Sequence, residues 1–108
     1  MALHSCPWLI DDRAAYDLLR ITGRVGDPLA VARAELRRYI QGILERVAQP
    51  RVLASGMLQY RSGRPLRARL IVDPETHPPT LITVRADYEG RRAPYARSVN
   101  SQFRKRTR

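Results

Sequence analysis

Cysteine, histidine, lysine and large aromatic residues are scarce in this sequence. Its 108 residues include one cysteine, two histidines, one lysine, one tryptophan and one phenylalanine. Cys6 alone excludes a disulfide framework and a cysteine-based metal site. His4 and His77 lie far apart in the chain, which argues against zinc. No phosphate loop, GxGxxG, HExxH, EF-hand loop or GxSxG motif is present, so neither a metal nor a cofactor is expected. No apolar run reaches the roughly 18 residues a membrane helix needs, and the N-terminus lacks a signal peptide's basic start and apolar core. The expectation is a cytoplasmic protein with no membrane contact. Acid is scarce as well. Ten acidic residues stand against 20 basic ones, a net charge of +10 with pI near 11.2.

All the basic residues but Lys105 are arginine. A GC-rich genome explains arginine over lysine, but not the excess of positive over negative charge. That excess implies a polyanionic partner, with nucleic acid first and an anionic membrane surface second.

Hydrophobic content of 44% is ordinary for a folded chain. A single domain over residues 1–100 is expected, followed by a basic flexible tail over 101–108 that carries Arg104, Lys105 and Arg106. The cluster Pro7-Trp8-Leu9-Ile10 reads as an edge strand or a plug across the core. Asp11 or Asp12 caps a short helix to about Thr22, with Ala15, Leu18 and Leu19 inward and Arg13, Asp17 and Arg20 towards water. Asp27-Pro28 starts a longer helix to about Ala48, whose apolar stripe is Leu29, Ala32, Leu36, Ile40, Ile43 and Val47. Tyr39 and Leu44 broaden that stripe, and mid-helix Gly42 suggests a close helix–sheet approach.

From Arg51 to Tyr88 the apolar period falls to two. Leu66, Ala68, Leu70 and Val72 alternate with Arg67, Arg69 and Asp73, and Ile82, Val84, Ala86 and Tyr88 alternate with Thr83, Arg85 and Asp87. These are half-buried antiparallel strands. Gly63 supplies a left-handed turn residue, and Pro74, Pro78 and Pro79 break the ladder. Pairing Leu70 with Ile82 and Tyr60 with Leu66 keeps the apolar residues on one face. The other face then carries Gln59, Arg67, Arg69, Thr83 and Arg85, with Arg67 opposite Arg85. Like charges across a ladder repel, so this pair wants an anion nearby. The whole is an α+β fold, with two N-terminal helices packed on one face of a three- to four-stranded antiparallel sheet.

Two helices followed by strands bearing Gln59-Tyr60-Arg61, Pro65-Leu66-Arg67-Ala68-Arg69-Leu70-Ile71-Val72-Asp73 and Leu81-Ile82-Thr83-Val84-Arg85 resemble the small RelE/ParE-type toxins. More widely they resemble the barnase–EndoU–colicin–RelE group of ribonuclease folds. The likeness covers about residues 12 to 97, and Tyr88 or Tyr95 stands for the group's late tyrosine. The chain departs from the group in having no lysine in its body and no histidine on the sheet face.

The resemblance implies metal-independent RNA cleavage, with Arg67, Arg69, Arg85, Thr83, Tyr88 and Tyr95 as catalytic residues. Gln59, Arg61, Arg64, Arg91, Arg92, Arg97 and the tail residues would hold the nucleic acid. Arginine suits a crowded phosphorane because its fork matches phosphate oxygens, but its permanent charge makes it a poor proton carrier. Proton transfer then falls to Tyr60, Tyr88, Tyr95, His4 or His77. An acidic antitoxin or inhibitor protein is the implied protein partner. The alternative is a non-catalytic module, phage- or plasmid-encoded, that binds RNA or DNA with the same face.

Overall fold

The computed structural model describes residues 7–86. Tyr88, Tyr95, Arg91, Arg92, Arg97, Arg104, Lys105 and Arg106 lie outside the described residues, and so do His4 and the tail expected over 101–108.

The elements run β1 (Leu9–Ile10), α1 (Asp12–Ile21), α2 (Leu29–Glu45), β2 (Arg51–Val52), β3 (Leu58–Arg61), β4 (Ala68–Asp73) and β5 (Thr80–Ala86). The class is α+β. The sheet is larger than expected and mixed: five strands in the order β1-β5-β4-β3-β2, with β1 and β5 parallel and the other pairs antiparallel. The apolar cluster at the N-terminus serves both suggested roles. Leu9 and Ile10 pair with Thr80 and Leu81 at the sheet edge, while Trp8 is buried and its ring meets Tyr60 at a centroid distance of 5.1 Å.

One continuous core gathers Ala14, Ala15, Leu18 and Leu19 of α1 with Ala32, Leu36, Ile40 and Ile43 of α2. Against them pack Leu66, Ala68, Leu70, Val72, Leu81 and Val84. Asp11 caps α1 by accepting from the Arg13 amide at 2.9 Å. Arg24 donates to Glu35 at 3.0 Å, and Arg33 pairs with Asp12, so two ion pairs hold α2 to the α1 segment. Among the described residues no helix is long and apolar enough to cross a membrane.

Several local expectations change. Pro28, not Asp27, is the N-cap of α2, with no side-chain cap bond. That helix stops at Glu45, so Val47 leaves the apolar stripe and stands 75% exposed; Leu44 is exposed too. The left-handed residue in the turn before β4 is Arg67, with φ of 53°, rather than Gly63. A Cβ on Gly42 would first meet Arg46 Nη1 at 3.6 Å, an ordinary contact, so a close sheet is not what the glycine answers to.

The register also differs. Tyr60 pairs with Leu70, Leu58 with Val72, and Leu70 with Val84. Both hairpins are displaced from the expected register by an even number of residues, which leaves every side chain on its expected face. The exception is β5. Ile71 pairs with Thr83 but Val72 with Leu81, so Ile82 is an extra residue that kinks the strand. Leu81 is thereby fully buried three residues before Val84 instead of facing outward, and Ile82 is only half-buried.

Candidate nucleic-acid interface

The displaced register brings like charges together on three strands. Arg61 pairs with Arg69, and Arg69 pairs with Arg85. Tyr60, Leu70 and Val84, one position earlier or later on the same strands, belong to the core side, so the three arginines belong to the opposite face. Partners in such a ladder have Cα atoms about 4.5–5.5 Å apart, a spacing at which like charges destabilise. Arg69 is half-buried and donates through Nη2 to the Ala86 carbonyl at 2.8 Å; Arg61 and Arg85 are exposed.

The expected pair of Arg67 and Arg85 does not form. Arg67 sits exposed in the turn before β4, so Arg69 takes its place opposite Arg85. Gln59 pairs with Ile71, not with Arg67. Thr83 does not stand across from Arg69. It pairs with Ile71, and its hydroxyl donates to the Asp17 carboxylate.

Asp17 was expected to face water, yet it is 5% exposed. Strand β1 flanks β5 only at Thr80 and Leu81, which leaves later residues of β5 without a strand on that side among the described residues. Helix α1 runs along this stretch, and the Asp17 carboxylate accepts from the Val84 amide at 3.2 Å and from Thr83. Arg20 donates to its other oxygen at 3.2 Å. The acid therefore satisfies a ladder donor and bolts the helix to the strand edge.

Around this bolt opens a cleft of about 340 Å³ lined by Arg13, Asp17, Arg20 and Ile21 of α1 and by Thr83, Val84, Arg85 and Ala86 of β5. Arg13, Asp17 and Arg20 share one helix face because they are four and three residues apart. That spacing was visible in the sequence, but their polarity assigned them to solvent. Three arginines thus surround one carboxylate, and that carboxylate is already taken by Val84, Thr83 and Arg20. Neither Arg13 nor Arg85 has an acidic partner among the described residues. Arg85 belongs both to the cleft and to the cross-strand row.

Little else here supports acid–base chemistry. Burial raises the Tyr60 hydroxyl above the usual 10.0. Its ring packs against the core and Trp8, away from the arginine row. His77 lies in the turn joining β4 and β5, past Asp73 at the far end of the hairpin from Arg69 and Arg85. Four residues of strand, about 13 Å, separate Arg69 from Asp73 alone. Among the described residues no group of His, Cys, Asp and Glu side chains could hold a metal ion. No family model, no curated protein and no solved structure matches the chain.

Proposed function

We propose that this protein is a nucleic-acid-binding module that grips the phosphodiester backbone with Arg61, Arg69 and Arg85 and with the adjoining Arg13–Arg20 cleft. One observation carries the reading. Arg85 links a three-strand row of facing arginines to an arginine-lined cleft whose single acid is engaged internally. Like charges that face each other across a ladder repel, and phosphates lying between such side chains relieve that repulsion. The row carries no base-reading geometry of its own, so its contacts position a backbone rather than select a sequence.

Cleavage is less well supported by the geometry. Of the residues assigned catalytic roles, Arg67 is off the row and the Thr83 hydroxyl is committed to Asp17. His77 is at the wrong end of the hairpin to move a proton at Arg85. Binder and ribonuclease separate in one experiment. Labelled single-stranded RNA and duplex DNA are titrated with wild-type protein and with Arg13→Ala, Arg69→Ala and Arg85→Ala, and the same RNA is incubated in EDTA. The expected result is tight low-salt binding, a modest and similar loss for each variant, and intact RNA. No binding at low ionic strength ends the reading. Metal-independent cleavage that is lost in Arg85→Ala replaces it with the ribonuclease.

A further inference from the structure

A second basic groove lies elsewhere on the protein, between the C-terminal half of α2 and the turn that joins β3 to β4. It has a volume of about 310 Å³ and is lined by Arg38, Tyr39, Gly42, Arg46, Gly63, Arg64 and Pro65. Three of these residues are arginines and none is acidic. We propose that this groove is a phosphate-binding site, separate from the Arg13–Arg20–Arg85 cleft and independent of whether that cleft binds nucleic acid.

The arrangement is built around Arg46. Its Nη2 donates to the Arg61 carbonyl at 3.2 Å, which draws the guanidinium off the helix end and across to the turn. Gly63 leaves room for that course. A Cβ on Gly63 would come within 3.3 Å of Arg46 Nη1, tighter than ordinary contact, and one on Gly42 within 3.6 Å. Glycine in a helix interior costs stability relative to alanine, and no sheet contact requires it at Gly42.

Two further costs lie close by in the chain. Val47, next to Arg46, and Arg67, two residues past Pro65, both hold left-handed backbone angles, with φ of 52° and 53°. Non-glycine residues in that region are strained, and such strain collects at functional sites. Arg38, Arg46 and Arg64 all line this hollow, and no acidic residue does. A phosphate group offers the oxygens that fit their planar forks, with a charge to offset their mutual repulsion.

The phosphate could belong to a nucleic-acid strand or to a free monoester, and the test distinguishes them. The full chain, labelled with nitrogen-15, is titrated at constant ionic strength with inorganic phosphate, adenosine monophosphate and a short single-stranded RNA. The amide signals of Gly42 and Gly63 are followed. Saturable shifts with phosphate and the monophosphate place the site with small phosphorylated ligands; shifts with RNA alone place it with strands. Either result requires that Arg46→Gln weaken the interaction about tenfold, the loss of one charge-assisted contact. Arg64→Gln, on an exposed turn residue, gives the same readout if Arg46→Gln disturbs folding. No shift at Gly42 and Gly63 with any ligand, or shifts unchanged in both glutamine variants, overturns the site. RNA that shifts signals around Arg85 only overturns it too, while leaving the proposed nucleic-acid reading in place.

Discussion

Helices α1 and α2 end with the same pair of hydrogen bonds but with different residues. In α1 the amides of Gly23 and Arg24 bond back to Arg20 and Leu19; in α2 those of Val47 and Ala48 bond back to Leu44 and Ile43. Both are Schellman ends, in which the first of the two residues must turn left-handed. Gly23 does so freely at φ of 74°, whereas Val47 is forced to φ of 52°. The anchoring differs as well. A buried carboxylate bolts α1 to the strand edge, whereas α2 buries only apolar side chains and its ion pairs to the α1 segment lie nearer the surface. The relaxed end belongs to the helix whose cleft is organised by an internal acid, and the strained end to the helix whose groove has none. The strained end directly follows Arg46, which lines that groove.

That contrast can be broken in several ways. The largest effect should come from α2's apolar anchor. Leu36→Ala removes a fully buried side chain and should cost roughly 2–5 kcal/mol in denaturant unfolding. Next comes the polar bolt of α1. Asp17→Ala leaves the buried Val84 amide and the Thr83 hydroxyl without their acceptor, at a cost of about 1.5–3 kcal/mol. It should also speed hydrogen exchange at Val84 before that of the central strand β4, because it loosens the edge first.

Exchanging the helix ends should give opposite signs. A Cβ at Gly23 meets nothing within 4 Å, so Gly23→Val should lose only the backbone term, about 1–2 kcal/mol. Val47→Gly should gain roughly 1 kcal/mol, since the exposed valine side chain leaves little behind. Equal signs would show that the two ends are not equivalent.

The smallest effect concerns Tyr60 on the apolar side. Burial raises its hydroxyl above 10.0, so the folded state holds that proton more tightly than the unfolded chain does. Its contribution is fully present below pH 10 and is lost as pH rises through the raised value. Tyr60→Phe should therefore flatten the alkaline limb of the stability curve, as read by urea melts across that range.

Much of this fold is legible in the sequence, and what is not has identifiable causes. The helix positions follow from apolar periodicity and capping, and the sheet faces from alternation over Ala68 to Val72. An even register displacement preserves those faces, so hydrophobic pattern alone could not choose between Arg67 and Arg69 as the partner of Arg85. The turns chose, and their geometry rests on Arg67 instead of Gly63. The extra residue Ile82 is invisible to a strict period of two. Asp17 escaped because a carboxylate on an otherwise wet helix side reads as solvent-facing; only the open edge of β5 accounts for its burial. Arg13, Arg20, Arg38 and Arg46 were passed over for the same reason, since a charged helix residue says little until its neighbours are known.

On the proposed reading, facing arginines at one end of the sheet hold phosphates. The salt dependence of RNA binding tests it most directly, because each neutralised phosphate releases counterion and steepens the slope of log affinity against log salt. Wild type and Arg85→Ala are compared by fluorescence anisotropy over a series of salt concentrations. Weaker binding and a slope reduced by about one unit are expected in the variant. An unchanged slope and affinity in Arg85→Ala would contradict it.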